Sequence, residues 1–132
     1  TAQLVGKRVR VTSSGFELKE GRALGTLDLP TEASVTLTIK DANGKVVRVL
    51  DQGTLKAGSH TITWDGRDQA GHPMPEGTYT LEAVGTDGNG QAVAITTSTY
   101  VRVDAVVFQN GTAFLVAGGQ RFNLSDVHEI SA

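Results

Sequence analysis

The chain has 132 residues, enough for one domain or two small ones and for a sizeable apolar core. Its 12 basic and 14 acidic residues are mixed along the sequence and sum to −2, so no basic field for nucleic acid or an anionic membrane is built. Cysteine is absent, which excludes disulfides, thiolate metal sites and a cysteine nucleophile. No apolar run approaches the ~20 residues that cross a bilayer as a helix. The first residue is Thr1 rather than methionine, as expected of a processed or partial chain.

In chain order, Val5 to Thr12 comes first, with Val5, Val9 and Val11 apolar and Arg8 and Arg10 facing away. Such alternation suits a half-buried strand. Phe16 to Leu18 resumes it briefly before Glu20-Gly21. Leu27 and Leu29 lead into Pro30, which ends a strand or places it at an edge. Val35, Leu37 and Ile39 alternate with Thr36, Thr38 and Lys40. Asp41 to Gly44 turns this strand back into Val46 to Leu50, and Asp51 to Gly58 reads as a loop. His60, Ile62 and Trp64 then share one face. Tyr79, Leu81 and Ala83 share another after a dense cluster of turn formers.

Gln91 to Val103 reads as one long Thr- and Val-rich strand passing between two modules. Val106–Phe108, Ala113–Val116 and Arg121–Leu124 follow, joined at Asn110-Gly111 and Gly118-Gly119. Ser125 to Ile130 reads either as one helical turn, with Asp126 and Glu129 as a capping box, or as a last edge strand. Five Asn-Gly or Asp-Gly dipeptides, at 43, 65, 87, 89 and 110, favour hairpins. No window of eleven residues keeps the helical period uninterrupted, so the class is all-β. The exposed threonines follow β-propensity, and no large apolar stripe is expected to remain once the strands are assigned.

Candidate chemistry concentrates between Trp64 and Tyr79. Trp64 continues the face of Ile62 and is expected in the core; a ligand platform would need its ring exposed. Asp65, Asp68 and Glu76 are acids near one another. Their D-G-R-D spacing departs from that of a calcium loop, and both aspartates read as turn acceptors for backbone N–H groups. Asp87-Gly88-Asn89-Gly90 reads the same way. His60, His72 and His128 share no ligand spacing. Neither a nucleophile elbow nor a phosphate-binding glycine loop is present. No catalytic, cofactor or metal residue is assigned.

The stretch WDGRDQAGHPMPEGTYTLEA resembles the Ig-like block of the flagellar hook-capping (FlgD) family. The family pattern is A-G-x-H, W-D-G, then D, G, P, G and Y. It falls here on Ala57, Gly58 and His60, on Trp64, Asp65 and Gly66, and on Asp68, Gly71, Pro75, Gly77 and Tyr79. The hairpin VTLTIKDANGKVVRVL resembles the strands before it. TAQLVGKRVRV, with Leu4, Gly6 and Lys7, resembles the start of the family's core, and the strands up to Ile130 resemble its close. The W-D-G…P-x-G-x-Y segment also occurs in Ig-like modules of unrelated secreted proteins, so the flanks carry the family assignment.

This resemblance implies an Ig- or fibronectin type III-like β-sandwich inserted into a small Tudor-like β-barrel. The expected ranges are 21–93 for the sandwich and 1–20 with 94–132 for the barrel. It also implies a non-enzymatic, homo-oligomeric scaffold, exported by the flagellar type III apparatus. The scaffold would cap the growing hook outside the cell and help hook subunits add, using a further N-terminal segment before Thr1. The alternative is an Ig-like adhesion or carbohydrate-binding module of a secreted bacterial protein. The two part at the flanks: pairing of Val5–Val11 with strands after Val103 is expected only of the cap family.

Overall fold

A computed structural model describes residues 3–131 and is built of strands. The chain divides into two compact units, Ser13–Ser98 and Thr1–Thr12 with Thr99–Ala132.

The inserted unit is a sandwich. One sheet has the order β2 (Gly15–Leu18), β7 (Gly77–Thr86), β4 (Ala33–Lys40), β5 (Val46–Leu55), and β8 (Ala92–Val93) also pairs with β7. In the other sheet, β3 (Ala23–Leu29) pairs with β6 (Gly58–Trp64) and neighbours the start of β9 (Thr96–Arg102). Alternation puts Val35, Leu37, Ile39 and Leu81 on one inner face and Leu27, Leu29, Ile62 and Trp64 on the other. Together with Phe16, Leu18 and Tyr79 they form one apolar core. Each large side chain buried this fully contributes roughly 1.5–3 kcal/mol relative to exposure.

The outer unit is built from both ends of the chain. β1 (Arg8–Thr12) pairs antiparallel with β13 (Val127–Ser131) and lies between it and β9. β10 (Ala105–Gln109), β11 (Thr112–Ala117) and β12 (Gln120–Asn123) form an antiparallel meander. Val9, Val11, Val103, Leu115, Ala117 and Phe122 make a second core. The pairing expected of the hook-capping family, an early strand against one after Val103, is therefore present.

Compactness divides the chain at 12/13 and 98/99 rather than at 20/21 and 93/94. The reason is β2, which pairs with β7 and sends Phe16 and Leu18 into the sandwich core. The chain enters and leaves the inserted unit side by side. The Ser13 N–H donates to the Thr97 carbonyl at 3.2 Å, and the Thr97 hydroxyl donates to the Ser13 carbonyl at 3.0 Å.

Four local expectations are corrected. The loop from Asp51 to Gly58 is a continuation of β5 to Leu55, bulged where Val35 pairs with Gly53 and Thr36 with Asp51. The long strand from Gln91 to Val103 is broken into β8 and β9, because Val93 and Ile95 serve the sandwich core and Val101 and Val103 the outer one. Leu124 begins a 3-10 turn, Leu124–Asp126, before β13 rather than ending β12. The N-cap of that turn is Asn123, without a side-chain capping bond, so Asp126 and Glu129 make no capping box.

Two kinds of turn recur. Asn110 and Gly111, at φ 52° and 78°, form a two-residue type I′ hairpin between Gln109 and Thr112. The other kind is D-x-x-G-x, at Asp41, Asp68 and Asp87. In each, the Asp Oδ1 accepts the N–H groups two and four residues on at 2.9 to 3.0 Å. Each glycine N–H returns to the Asp carbonyl at 3.0 Å. The aspartate organises these turns, not the Asn-Gly or Asp-Gly dipeptide inside two of them.

Candidate functional site

The corner from Trp64 to Tyr79 connects β6 to β7 across the end of the sandwich. Trp64 closes the inward face of β6 and is 1% exposed. Its ring stacks on Phe16, with centroids 6.2 Å apart, and meets Tyr79 edge-on at 5.0 Å. Its indole N–H donates to the Arg67 carbonyl at 2.9 Å, so the polar edge of the ring is satisfied without solvent. A ligand platform is thereby overturned for this residue. Tyr79 is also buried, and its hydroxyl donates to the Pro75 carbonyl at 2.6 Å, as in the tyrosine corner of Ig-like sandwiches. Burial first, and then the charge of Asp41, push the Tyr79 phenol above its ordinary value.

The acids act within the backbone of the corner. Asp65 Oδ1 accepts the Arg67 N–H at 3.0 Å and lies 3.4 Å from Arg48 Nη1. Asp68 is held below its ordinary value, first by the His72 N–H, against some burial, and then by the Ala70 N–H. Glu76 Oε2 accepts the Glu20 N–H at 2.6 Å. Among the described residues, no three His, Asp or Glu side chains come together as metal ligands.

Gly66 sits at φ 76°, and a Cβ there would lie 2.8 Å from Leu18 Cδ1. Gly71 and Gly77 also have positive φ, 90° and 146°. Pro75 supplies the carbonyl that receives Tyr79. All eight motif residues therefore lie in one corner, and their contacts fix its backbone.

Two contributors come from outside the motif. Arg48 Nη1 donates to the Arg67 carbonyl at 3.0 Å, and the Gln69 N–H donates to the Val47 carbonyl at 2.9 Å. Gln69 Oε1 also accepts the Val49 N–H at 2.9 Å, so Gln69 behaves as an extra residue of pairing beside β5. An arginine inside the β5 strand was the available sequence signal. Asp41, Ala42, Asn43 and Glu76 to Tyr79 line an open groove of about 260 Å³. That is smaller than the ~300–1,000 Å³ of small-molecule pockets.

The family model of the FlgD Ig-like domain matches residues 13–89, beginning where the inserted unit begins. The chain belongs to the FlgD family. It is similar to FlgD of Pseudomonas aeruginosa, with a TM-score of 0.90 and 31% identity over 99% of this chain and 100% of that one. It is also similar to FlgD of Xanthomonas campestris, with a TM-score of 0.81 and 31% identity over 97% and 94%. The structure of the latter concerns hook capping essential for flagellar assembly. A further relative is the basal-body rod modification protein FlgD of Salmonella typhimurium. It is 37% identical over 100 residues, which are 69% of this chain and 43% of that protein. The chain thus spans less than half the length of the curated FlgD relatives it matches. Its fold is that of FlgD, an Ig- or fibronectin type III-like sandwich inserted into a small Tudor-like barrel.

Proposed function

We propose that this chain is the core of a non-enzymatic hook cap, a scaffold that stands outside the cell at the tip of the growing flagellar hook and promotes addition of hook subunits beneath it. The observation that carries this reading is the outer unit. β1 and β13, from opposite ends of the chain, pair around a core of their own, and the likeness to FlgD extends over that unit as well as the sandwich. An Ig-like adhesion module would need the sandwich alone. The motif residues serve this role indirectly, by holding the sandwich rigid at the β6–β7 corner. We place the barrel on residues 1–12 and 99–132 and the sandwich on 13–98, following compactness. The partners are hook subunits and other copies of the cap protein. Absence of cysteine suits this route, since a chain that refolds after export needs no oxidation step. Deletion of the gene in its host is expected to abolish hooks and swimming, with rescue by the full-length gene. Normal hooks in the deletion strain would refute the reading.

A further inference from the structure

Charge is divided unevenly between the two units. Residues 1–12 and 99–132 hold five Lys and Arg against three Asp and Glu, whereas residues 13–98 hold seven against eleven. The outer unit is therefore net positive at +2 and the inserted unit net negative at −4, a split that the total of −2 hides.

The positive charge of the outer unit gathers on one sheet face. The Val103 N–H donates to the Lys7 carbonyl at 2.9 Å and the Ser13 N–H to the Thr97 carbonyl at 3.2 Å, so β9 runs antiparallel to β1. That register sets Arg8 opposite Arg102 and Arg10 opposite Tyr100, on the face away from Val9, Val11 and Val103. The Arg8 guanidinium stands 5.4 Å from the centroid of the Tyr100 ring, and Arg102 Nη1 donates to the Gly6 carbonyl at 2.6 Å. Glu129 of β13 lies opposite Arg10. Among the described residues no carboxylate forms an ion pair with Arg8 or Arg102. Like charges directly opposite on a sheet destabilise it, so an acidic partner laid over Arg8 and Arg102 would relieve a cost that the isolated chain carries.

A matching negative surface lies on the inserted unit. The open groove at the end of the sandwich carries Asp41 and Glu76, and Glu17, exposed on β2, pairs with Thr78 on its rim. None of these three acids forms an ion pair among the described residues. The charge of Asp41 reaches into the groove, where it helps to raise the Tyr79 phenol. The groove is too small and open for a small-molecule pocket, but it suits guanidinium groups presented by a facing surface.

We propose that Arg8 and Arg102 of one copy of this chain dock on the Glu17, Asp41 and Glu76 groove of the next, so that the outer unit of one meets the inserted unit of another. Charge complementarity selects this arrangement: joining like units would set +2 against +2 or −4 against −4. The contact uses two different patches, so it is heterologous and continues from copy to copy into a ring or a row. It deepens the hook-cap reading by naming where copies of the cap meet, and rests on that reading only for its place at the hook tip.

The test follows association of the 132-residue chain by sedimentation equilibrium at low ionic strength. Wild type is expected to grow past a dimer as concentration rises. It is expected to return to monomer as salt is added, since charges are screened beyond about 10 Å at ~0.1 M. Arg8→Glu with Arg102→Glu in one chain, and Glu17→Lys with Glu76→Lys in another, are each expected to weaken association by about tenfold or more. Mixing the two variants is expected to restore it, because each reversed patch then meets its complement. Arg102→Glu and Glu17→Lys, both at exposed positions, repeat the swap with single changes. Arg121→Glu, a reversal elsewhere on the outer unit, is expected to leave association near wild type. Fluorescence of the buried Trp64 checks that each variant is folded.

Failure of the mixed variants to associate would overturn the proposal, as would an equal loss with Arg121→Glu. A dimer that grows no further would replace it with a contact between like surfaces. A wild-type chain that stays monomeric up to about 1 mM would also overturn it. The hook-cap reading is decided separately, by the swimming of the deletion strain.

Discussion

Trp64 shows how a single residue can look like a site and be a keystone. Its neighbours in sequence are acids, an arginine and a histidine, but its ring lies between Phe16 and Tyr79 and its N–H is taken by the Arg67 carbonyl. Trp64→Ala is expected to destabilise the inserted unit by about 3–5 kcal/mol, through lost burial and a cavity, as read by chemical denaturation. In the native protein, acrylamide is expected to quench Trp64 fluorescence weakly. Asp68 gives a prediction in pH. Its carboxyl is held below the ordinary 3.8 by the His72 and Ala70 N–H groups. The folded state thus favours the ionised form, and the resulting stability is present above 3.8 and lost as pH falls through the lower folded value. Asp68→Asn removes that titration. Its thermal midpoint is expected to lie below wild type near neutral pH, and the gap is expected to narrow below pH 3.8.

At the scale of elements, the turns do more than join strands. The D-x-x-G-x turns at Asp41, Asp68 and Asp87 repeat one hydrogen-bond pattern, and the glycine three residues after the aspartate is kept even where the residue before it is Ala70 rather than asparagine. Two glycines separate backbone strain from steric conflict. Gly111, at φ 78°, would hold a Cβ with no neighbour within 4 Å. Gly66, at φ 76°, would hold one 2.8 Å from Leu18 in the core. Gly111→Ala is expected to cost only the left-handed backbone term, about 1–2 kcal/mol. Gly66→Ala is expected to cost clearly more in the same denaturation experiment, since Leu18 must also shift. Equal losses would show that the packing of Gly66 on Leu18 does not govern the corner.

The whole molecule has two cores with different claims on the chain. The sandwich is continuous in sequence from Ser13 to Ser98, whereas the outer unit needs both ends, because β1 supplies Val9 and Val11 and lies between β13 and β9. A fragment of residues 13–98 is expected to fold alone and keep Trp64 protected from acrylamide. A chain lacking residues 1–12 is expected to lose amide protection at Val103 and Leu115 while the Trp64 indole proton stays protected, as followed by NMR hydrogen exchange. Loss of both together would mean that the sandwich depends on the outer unit.

Much of this architecture was legible along the sequence, because the side-chain period of a strand is local. Val35, Leu37 and Ile39, or Ile62 and Trp64, declare their faces without reference to any partner. The turn acids and glycines are equally local, as is the W-D-G…P-x-G-x-Y pattern that marks the sandwich. Pairing is not local. That Phe16 and Leu18 belong with β7, that β5 runs on past Asp51, and that the Gln91–Val103 stretch breaks between two cores were decided by which distant strands lie alongside. Gln69 pairs with β5 only because the corner folds back over that edge. Which face of the meander turns to the core was likewise set by register, which puts Val106 beside Leu115 and Leu115 beside Phe122, since AVVF and AFLVA alternate too little to show which side the core will take.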